Sequence, residues 1–205
     1  EMCIRDRSIA TGTELLLSSK PYSAIVFDEF VEVKIDGPNG DETIHCKLLC
    51  GADGAHSWVR RNFRMGKPRE TMIGFQIEVT GYNGDSGMLD MYTGKNISPG
   101  FFSWAIPTGD TTRVGTWTKA ELMNGLSSEQ YLDKLLQDQK INSRFRLCSE
   151  VARFCGPVPS GIVRKPLIER VALFGDSAGV CKPTTGGGIG PGFKQVDLLV
   201  PRLSK

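Results

Sequence analysis

Apolar and polar residues alternate from Val31 to Asp36, with Val31, Val33 and Ile35 set against Glu32, Lys34 and Asp36. A period of two puts one set of side chains on each face of a pleated strand, so this run predicts a half-buried strand. Ala24–Phe27 predicts the strand before it. Gly37-Pro38-Asn39-Gly40-Asp41 is turn chemistry, and Thr43–Cys46 predicts the returning arm of a hairpin. Thr13–Leu17 is a further short apolar strand candidate. Leu48–Cys50 predicts a strand running straight into Gly51-Ala52-Asp53-Gly54.

The pattern changes near residue 71. Met72–Val79, Met88–Tyr92, Phe101–Ile106 and Arg113–Trp117 read as successive strands separated by clusters of Gly, Asn, Asp and Pro, which suits an antiparallel sheet. Ser127-Ser128-Glu129-Gln130 fits a capping box, and Tyr131, Leu132, Leu135 and Leu136 recur at helical spacing behind it. The Pro- and Gly-rich stretch from Cys155 to Pro166 reads as a return path between domains, and Val171–Phe174 as the last strand. At the other end EMCIRDRS shows neither regular period, so it is read as irregular and as a scar joined to the true reading frame.

The expected organisation is therefore split. Residues 1–60 and 166–205 form one unit, and 61–165 are a β-rich insertion carrying one helix. The chain of 205 residues can build one good core, or two small ones sharing an interface.

Forty per cent hydrophobic and 23% charged residues describe an ordinary globular protein. The net charge is only +2, with the basic residues scattered, which argues against a nucleic-acid partner. No apolar run is long enough to span a bilayer, although peripheral membrane contact is compatible with this composition. Six cysteines without a C-x-x-C pair, and only His45 and His56, give poor support for a metal site. Several of the cysteines are expected to be reduced, buried thiols in a cytoplasmic protein.

Candidate chemistry concentrates in VALFGDSAGVCKPTTGGGIGPG (171–192). A strand ends in Gly175-Asp176; a small-residue turn and Pro183 follow, and Gly186, Gly187 and Gly188 lead into Ile189. A carboxylate at a strand's C-terminal end can accept ribose hydroxyls. Glycines before a helix let backbone N–H groups approach an anion. A second junction of this kind is GADGAHSWVRR (51–61), where Asp53-Gly54 gives the tight turn and Ser57 suits a helix start.

Both strings resemble motifs of the FAD-dependent hydroxylase and geranylgeranyl reductase superfamily. In chain order, the first motif (51–61) resembles G-A-D-G-x-x-S-x-V-R, and the second motif (171–192) resembles G-D-A-A-G-x-x-x-P-x-x-G-G-G-I, with Ser177 in place of the commoner alanine. The resemblance implies an α/β (α+β mixed) fold, a Rossmann-like FAD/NAD(P)-binding domain with an inserted antiparallel substrate sheet. It implies FAD as cofactor, and NADPH or another reductant as electron donor. Asp53 and Gly54 carry over to cofactor contact near the pyrophosphate, while Arg60 carries over to anchoring its helix. Asp176 carries over to the ribityl or pyrophosphate region and Pro183 to the flavin face. Gly186, Gly187, Gly188 and Ile189 carry over to the pyrimidine end of the ring.

Between these motifs, SPGFFSWAIPTGDTTRVGTW (98–117) resembles the P-G-G-Y-x-W-x-F-P-K-G-D segment of geranylgeranyl reductases, with Thr108 where lysine is usual. That resemblance implies contact of Phe102, Trp104 and Pro107 with a prenyl lipid. The same string resembles the W-x-W-x-I-P motif of flavin-dependent halogenases, so a monooxygenase or halogenase is the alternative. No G-x-G-x-x-G occurs in the chain, so it is expected to be a partial family member lacking the N-terminal ADP cradle.

Overall fold

A computed structural model describes residues 2–203; Glu1, Ser204 and Lys205, at the outer ends of the expected 1–60 and 166–205 segments, lie outside the described residues. The fold is mixed α and β, built on three sheets.

The first sheet is an antiparallel meander of β1 (Lys20–Val26), β2 (Val31–Gly37) and β3 (Gly40–Cys46). Its hairpin pairs Val31 with Cys46 and Gly37 with Gly40, as the alternation of β2 requires. The second sheet is small and central. In it β4 (Leu49–Gly51) lies parallel to β11 (Val171–Leu173), and β10 (Leu167–Ile168) pairs antiparallel to β11 on the other side. Val31, Val33, Ile35, Val59, Val171 and Leu173 pack these two sheets and the short helix α2 (Trp58–Asn62) into one core.

The third sheet has five antiparallel strands in the order β6 (Asp90–Gly94), β7 (Ser98–Pro107), β8 (Thr112–Lys119), β5 (Glu70–Thr80) and β9 (Ser149–Ser160). Helix α3 (Ser128–Gln137) covers one face. Its capping box is formed as expected: Ser127 Oγ accepts from the Gln130 N–H, and Gln130 Oε1 accepts from the Ser127 N–H. Leu132 and Leu135 then pack on Phe75, Ile77, Ala105 and Val114 as a second core. Two small cores sharing an interface is thus the solution adopted.

Three expectations need correction. Cys155–Pro166 is not merely a return path, because its first half belongs to β9, which runs antiparallel along β5. β9 is an edge strand, where Pro157 and Pro159 do not interrupt a ladder, and that is why proline content concealed it. Thr13–Leu17 is not a strand; Leu15, Leu16 and Leu17 are exposed and find no pairing strand. The N-terminal string is regular after all, since α1 covers Met2–Ala10. A helix without an apolar face has nothing to bury, and residues 4–10 are exposed all round. Helix α4 (Ile189–Leu203) ends the described chain, and no helix among the described residues is long and apolar enough to cross a membrane.

Candidate functional site

β4 and β11 run side by side in the same direction, with Gly51 level with Leu173. Both sequence motifs therefore leave the same end of one sheet. The C-terminal ends of adjacent parallel strands form the crevice in which open α/β sheets bind ligands.

The first motif turns immediately after β4. A Cβ on Gly51 would stand 2.8 Å from both Leu173 Cδ2 and Val59 Cβ, so only glycine lets α2 pack this closely on the sheet. Gly54 takes the turn at φ +75° with open space where a side chain would project. Asp53 is committed by one oxygen: its Oδ2 accepts from the backbone N–H of Trp58 (2.6 Å) and Val59 (3.1 Å). Ser57 Oγ accepts from the Arg60 N–H at 2.9 Å. Together they satisfy first-turn donors that a helix cannot satisfy internally.

Arg60 joins the two motifs. It is buried, and its guanidinium donates to the Ser177 carbonyl (2.7 Å) in the second motif and to the Ala55 carbonyl (2.6 Å) in the first. Burial lowers its pKa, the nearby Asp53 carboxylate opposes that shift, and Arg61 adds to it. Ser177, where alanine is commoner in the motif, donates its hydroxyl to the Gly51 and Phe174 carbonyls, lying across the two parallel strands.

The second motif folds Asp176 back towards the glycines. Cys181 Sγ donates to Asp176 Oδ1 at 3.1 Å, and a Cβ on Gly188 would be 3.4 Å from both of those atoms. Lys182 N–H donates to the Gly187 carbonyl (3.2 Å) and Gly186 N–H to the Lys182 carbonyl (2.8 Å), which closes the loop just before α4. Pro183 is exposed and lines a cavity of about 510 Å³ with Cys181, Gly161 and Pro191. Ile189 is 79% exposed at the start of α4.

These residues fit a flavin dinucleotide in part. Uncovered glycine backbone at 187 and 188 precedes a helix N-terminus, whose first-turn N–H groups and positive dipole end favour an anionic ring edge or phosphate. Asp176 keeps Oδ2 without a protein donor among the described residues, so it can accept from ribityl or ribose hydroxyls.

Two of the substrate candidates, Phe102 and Trp104, pack with Trp117, whose indole lies against this loop. Phe102, Trp104 and Trp117 share the sheet face opposite α3. Trp104 lies 5.1 Å from Trp117 and 6.0 Å from Phe102 between ring centroids, with Phe101 completing the cluster at 5.4 Å from Trp117. Glycines make room for the indoles. A Cβ at Gly115 would be 2.4 Å from Trp104, one at Gly74 2.5 Å from Trp117, and one at Gly186 2.2 Å from Trp117. Gly186 of the cofactor motif thus rests directly on the aromatic floor. Pro107 stands apart, at the far end of β7 opposite Thr112 and about 10 Å along the strand from Trp104.

Sequence reasoning did not single out Trp117, although the period of two through Arg113, Gly115 and Trp117 marks it as sharing a face with a glycine. Cys181 was also missed as a partner of Asp176. The expectation of buried thiols holds for Cys181 but not for Cys50 and Cys155, which are exposed.

Burial, then the hydrogen bond to Asp176 and its charge, push the Cys181 thiol up to about 12 from an ordinary 9.0. In the unfolded chain this thiol ionises first, so its contribution to stability is whole below pH 9 and is lost as pH rises towards 12. Iodoacetamide at pH 8 is expected to modify Cys50 and Cys155 in the native protein and to spare Cys181 until denaturant is added. Peptide mass mapping reads this, and equal labelling of Cys181 and Cys155 would contradict it.

A family profile described as FAD binding domain matches residues 27–204. Among curated proteins, the chain is 24% identical over 188 residues to digeranylgeranylglycerophospholipid reductase 2 of Methanothermobacter thermautotrophicus, covering 89% of this chain and 47% of that protein. It is 28% identical over 202 residues to the chloroplastic geranylgeranyl diphosphate reductase of Nicotiana tabacum, covering 91% and 42%. The chain thus spans somewhat under half the length of these relatives. A crystal structure of a geranylgeranyl bacteriochlorophyll reductase-like protein from Thermoplasma acidophilum superposes with a TM-score of 0.81 at 20% identity, over 94% of this chain and 50% of that one, which establishes the fold.

Proposed function

We propose, from the premise that this chain belongs to the FAD binding domain family, that it is the core of an FAD-dependent reductase saturating C=C bonds of geranylgeranyl chains in lipids. The observation that carries the reading is the contact of Gly186 with Trp117, which sets the glycine loop on an apolar aromatic surface. The names of the relatives point to the same substrate class.

Under this reading the segment 61–165 is the substrate unit, and the flanking segments 1–60 and 166–205 hold the cofactor. Asp176 holds the ribityl or pyrophosphate region by accepting hydrogen bonds from its sugar or ribityl hydroxyls. Gly186, Gly187, Gly188 and Ile189 bring backbone donors to the pyrimidine edge, and Pro183 lies on the flavin face. Gly54 leaves space at the pyrophosphate, and Asp53 serves the cofactor by fixing the start of α2. When bound, FAD supplies the two-electron hydride chemistry, recharged by NADPH or another reductant.

The chain's own part is to bind and orient. Phe102, Trp104 and Trp117 present a dry surface along which a prenyl chain lies against the glycine loop, with Pro107 further along the strand. An isolated alkene has no charge to steer it, so van der Waals contact and water exclusion must hold the reacting carbons in place. A substrate that resides in lipid calls for peripheral contact with a membrane from the cytoplasmic side.

The test is anaerobic. The protein, loaded with FAD and photoreduced, is expected to be reoxidised by a geranylgeranyl lipid and not by its saturated analogue. Flavin that stays reduced until oxygen is admitted would overturn the reading in favour of a monooxygenase or halogenase.

A further inference from the structure

Beside the aromatic floor the sheet carries a shallow groove of about 310 Å³. It runs along β5 and the edge strand β9 past Gly74, Gln76, Phe154 and Gly156, with Trp104 and Trp117 on its other side. Gly74 pairs with Trp117 in one direction and with Gly156 in the other, so a strip free of side chains leads away from the indole. Trp117 lies over Gly74, which explains that glycine. Gly156 has no such reason: a Cβ on it would meet nothing within 4 Å, and its φ is not positive. Glycine weakens a strand, and where no neighbour demands it, it marks a surface that another group approaches closely.

Two hydrogen-bond donors open into this groove. Trp104 donates its Nε1–H to Gln76 Oε1 at 3.2 Å, whereas Trp117 Nε1 has no acceptor among the described residues. An indole N–H can only donate, so the Gln76 amide must turn its oxygen to Trp104. Its NH2 group is then left without a protein acceptor among the described residues. Neither group is sealed in, since no buried side-chain nitrogen or oxygen among the described residues lacks a partner. Gln76 and Trp117 are diagonal neighbours on one face of the β5–β8 pair, so their side chains start roughly 7 Å apart. No charged side chain lines the groove.

We propose that Trp117 Nε1–H and the Gln76 amide form a polar subsite that holds the uncharged ester or ether oxygen of a prenyl lipid. The site thereby selects a head-linked prenyl chain over a bare hydrocarbon. A hydrocarbon lying in the groove strips water from both donors and returns no bond, whereas an oxygen acceptor restores what water supplied. With no cation present, the groove has nothing to neutralise a charged head, which places an uncharged linkage there. Trp117 also meets Gly186 with its benzene edge, so the oxygen it holds lies one indole away from the glycine loop. The inference rests on the reductase reading for its substrate class; its test reads binding and uses no flavin chemistry.

The probes are geranylgeranyl methyl ether and the hydrocarbon in which CH2 replaces its oxygen, each titrated into the protein in a nonionic detergent. The ether is expected to bind about tenfold more tightly. In protein labelled with 15N-tryptophan, the Trp117 Nε1–H resonance should move downfield with the ether and stay in place with the hydrocarbon. Gln76→Glu keeps an acceptor for Trp104 but loses the donor, and should bind ether and hydrocarbon more nearly alike. Gly156→Val is the variant safest for the fold, because a β-branched residue suits a strand and meets no neighbour. It should melt no lower than the parent while binding the ether about threefold more weakly or worse, its side chain occupying the strip. Equal affinity for the two probes, an unmoved Trp117 resonance with ether bound, the full ether preference in Gln76→Glu, or unchanged binding in Gly156→Val would each overturn the subsite and leave the reductase reading standing. No saturable binding of either probe would overturn both.

Discussion

Gly186→Ala is expected to destabilise the fold by about 3 kcal/mol and to abolish flavin retention, whereas Gly187→Ala should cost under about 1 kcal/mol. The two glycines are neighbours in sequence but not in environment. Gly186 is buried at φ +66°, a conformation that costs an L-residue roughly 1 kcal/mol. Its new Cβ would lie 2.2 Å from Trp117 Cζ3. The indole cannot simply retreat, because its other edge already lies so close to Gly74 that a Cβ there would stand 2.5 Å from Nε1. Gly187 is exposed, has no positive φ, and would meet only Thr185 Oγ1 at 3.4 Å. Urea midpoints of both variants measure the difference. Trp117→Leu in the Gly186→Ala background should recover part of the loss, since the two changes share one contact. Equal destabilisation at 186 and 187 would refute the packing argument.

Arg60→Met should cost about 2–4 kcal/mol, although it replaces a charged side chain by an apolar one of similar length. The guanidinium satisfies carbonyls in both motif loops, at Ser177 and Ala55, and the methionine satisfies neither. α2 is a helix of five residues and has almost no stability of its own, so its position depends on such ties. Arg60→Lys should recover only part of the loss, because a single ammonium lacks the planar fork that reaches two carbonyls at once. Denaturant midpoints at constant m measure the stability term, and retention of FAD through gel filtration measures the site. A cost below about 0.5 kcal/mol for Arg60→Met would mean that water takes over both carbonyls and that the motifs are held together elsewhere.

Much of this was legible from local chemistry. The alternation in Val31–Asp36 and the turn at Gly37–Asp41 specify their hairpin, because both signals act within a few residues. The Ser127 capping box and the leucines behind it specify α3 in the same way. The two glycine-rich junctions carry enough identity to indicate a flavin-type site before any coordinates.

What local pattern could not reveal was pairing across distance. β9 hid behind its prolines, since only the sheet order shows that Pro157 and Pro159 sit on an edge. Asp53 reads as a ligand in the string, yet one of its oxygens is turned to its own helix. Trp117 became a site residue only when β8 paired beside β7 and Gly186 came down on its ring. The sequence by itself determined the local elements and the chemistry of the two loops, because hydrogen-bond capping, turn geometry and side-chain alternation are short-range. Tertiary structure alone decided that β4 and β11 lie in register, that Arg60 bridges their loops, and that an aromatic floor meets the glycines. Those contacts join residues far apart along the chain, and steric fit and charge select them only once the backbone has folded.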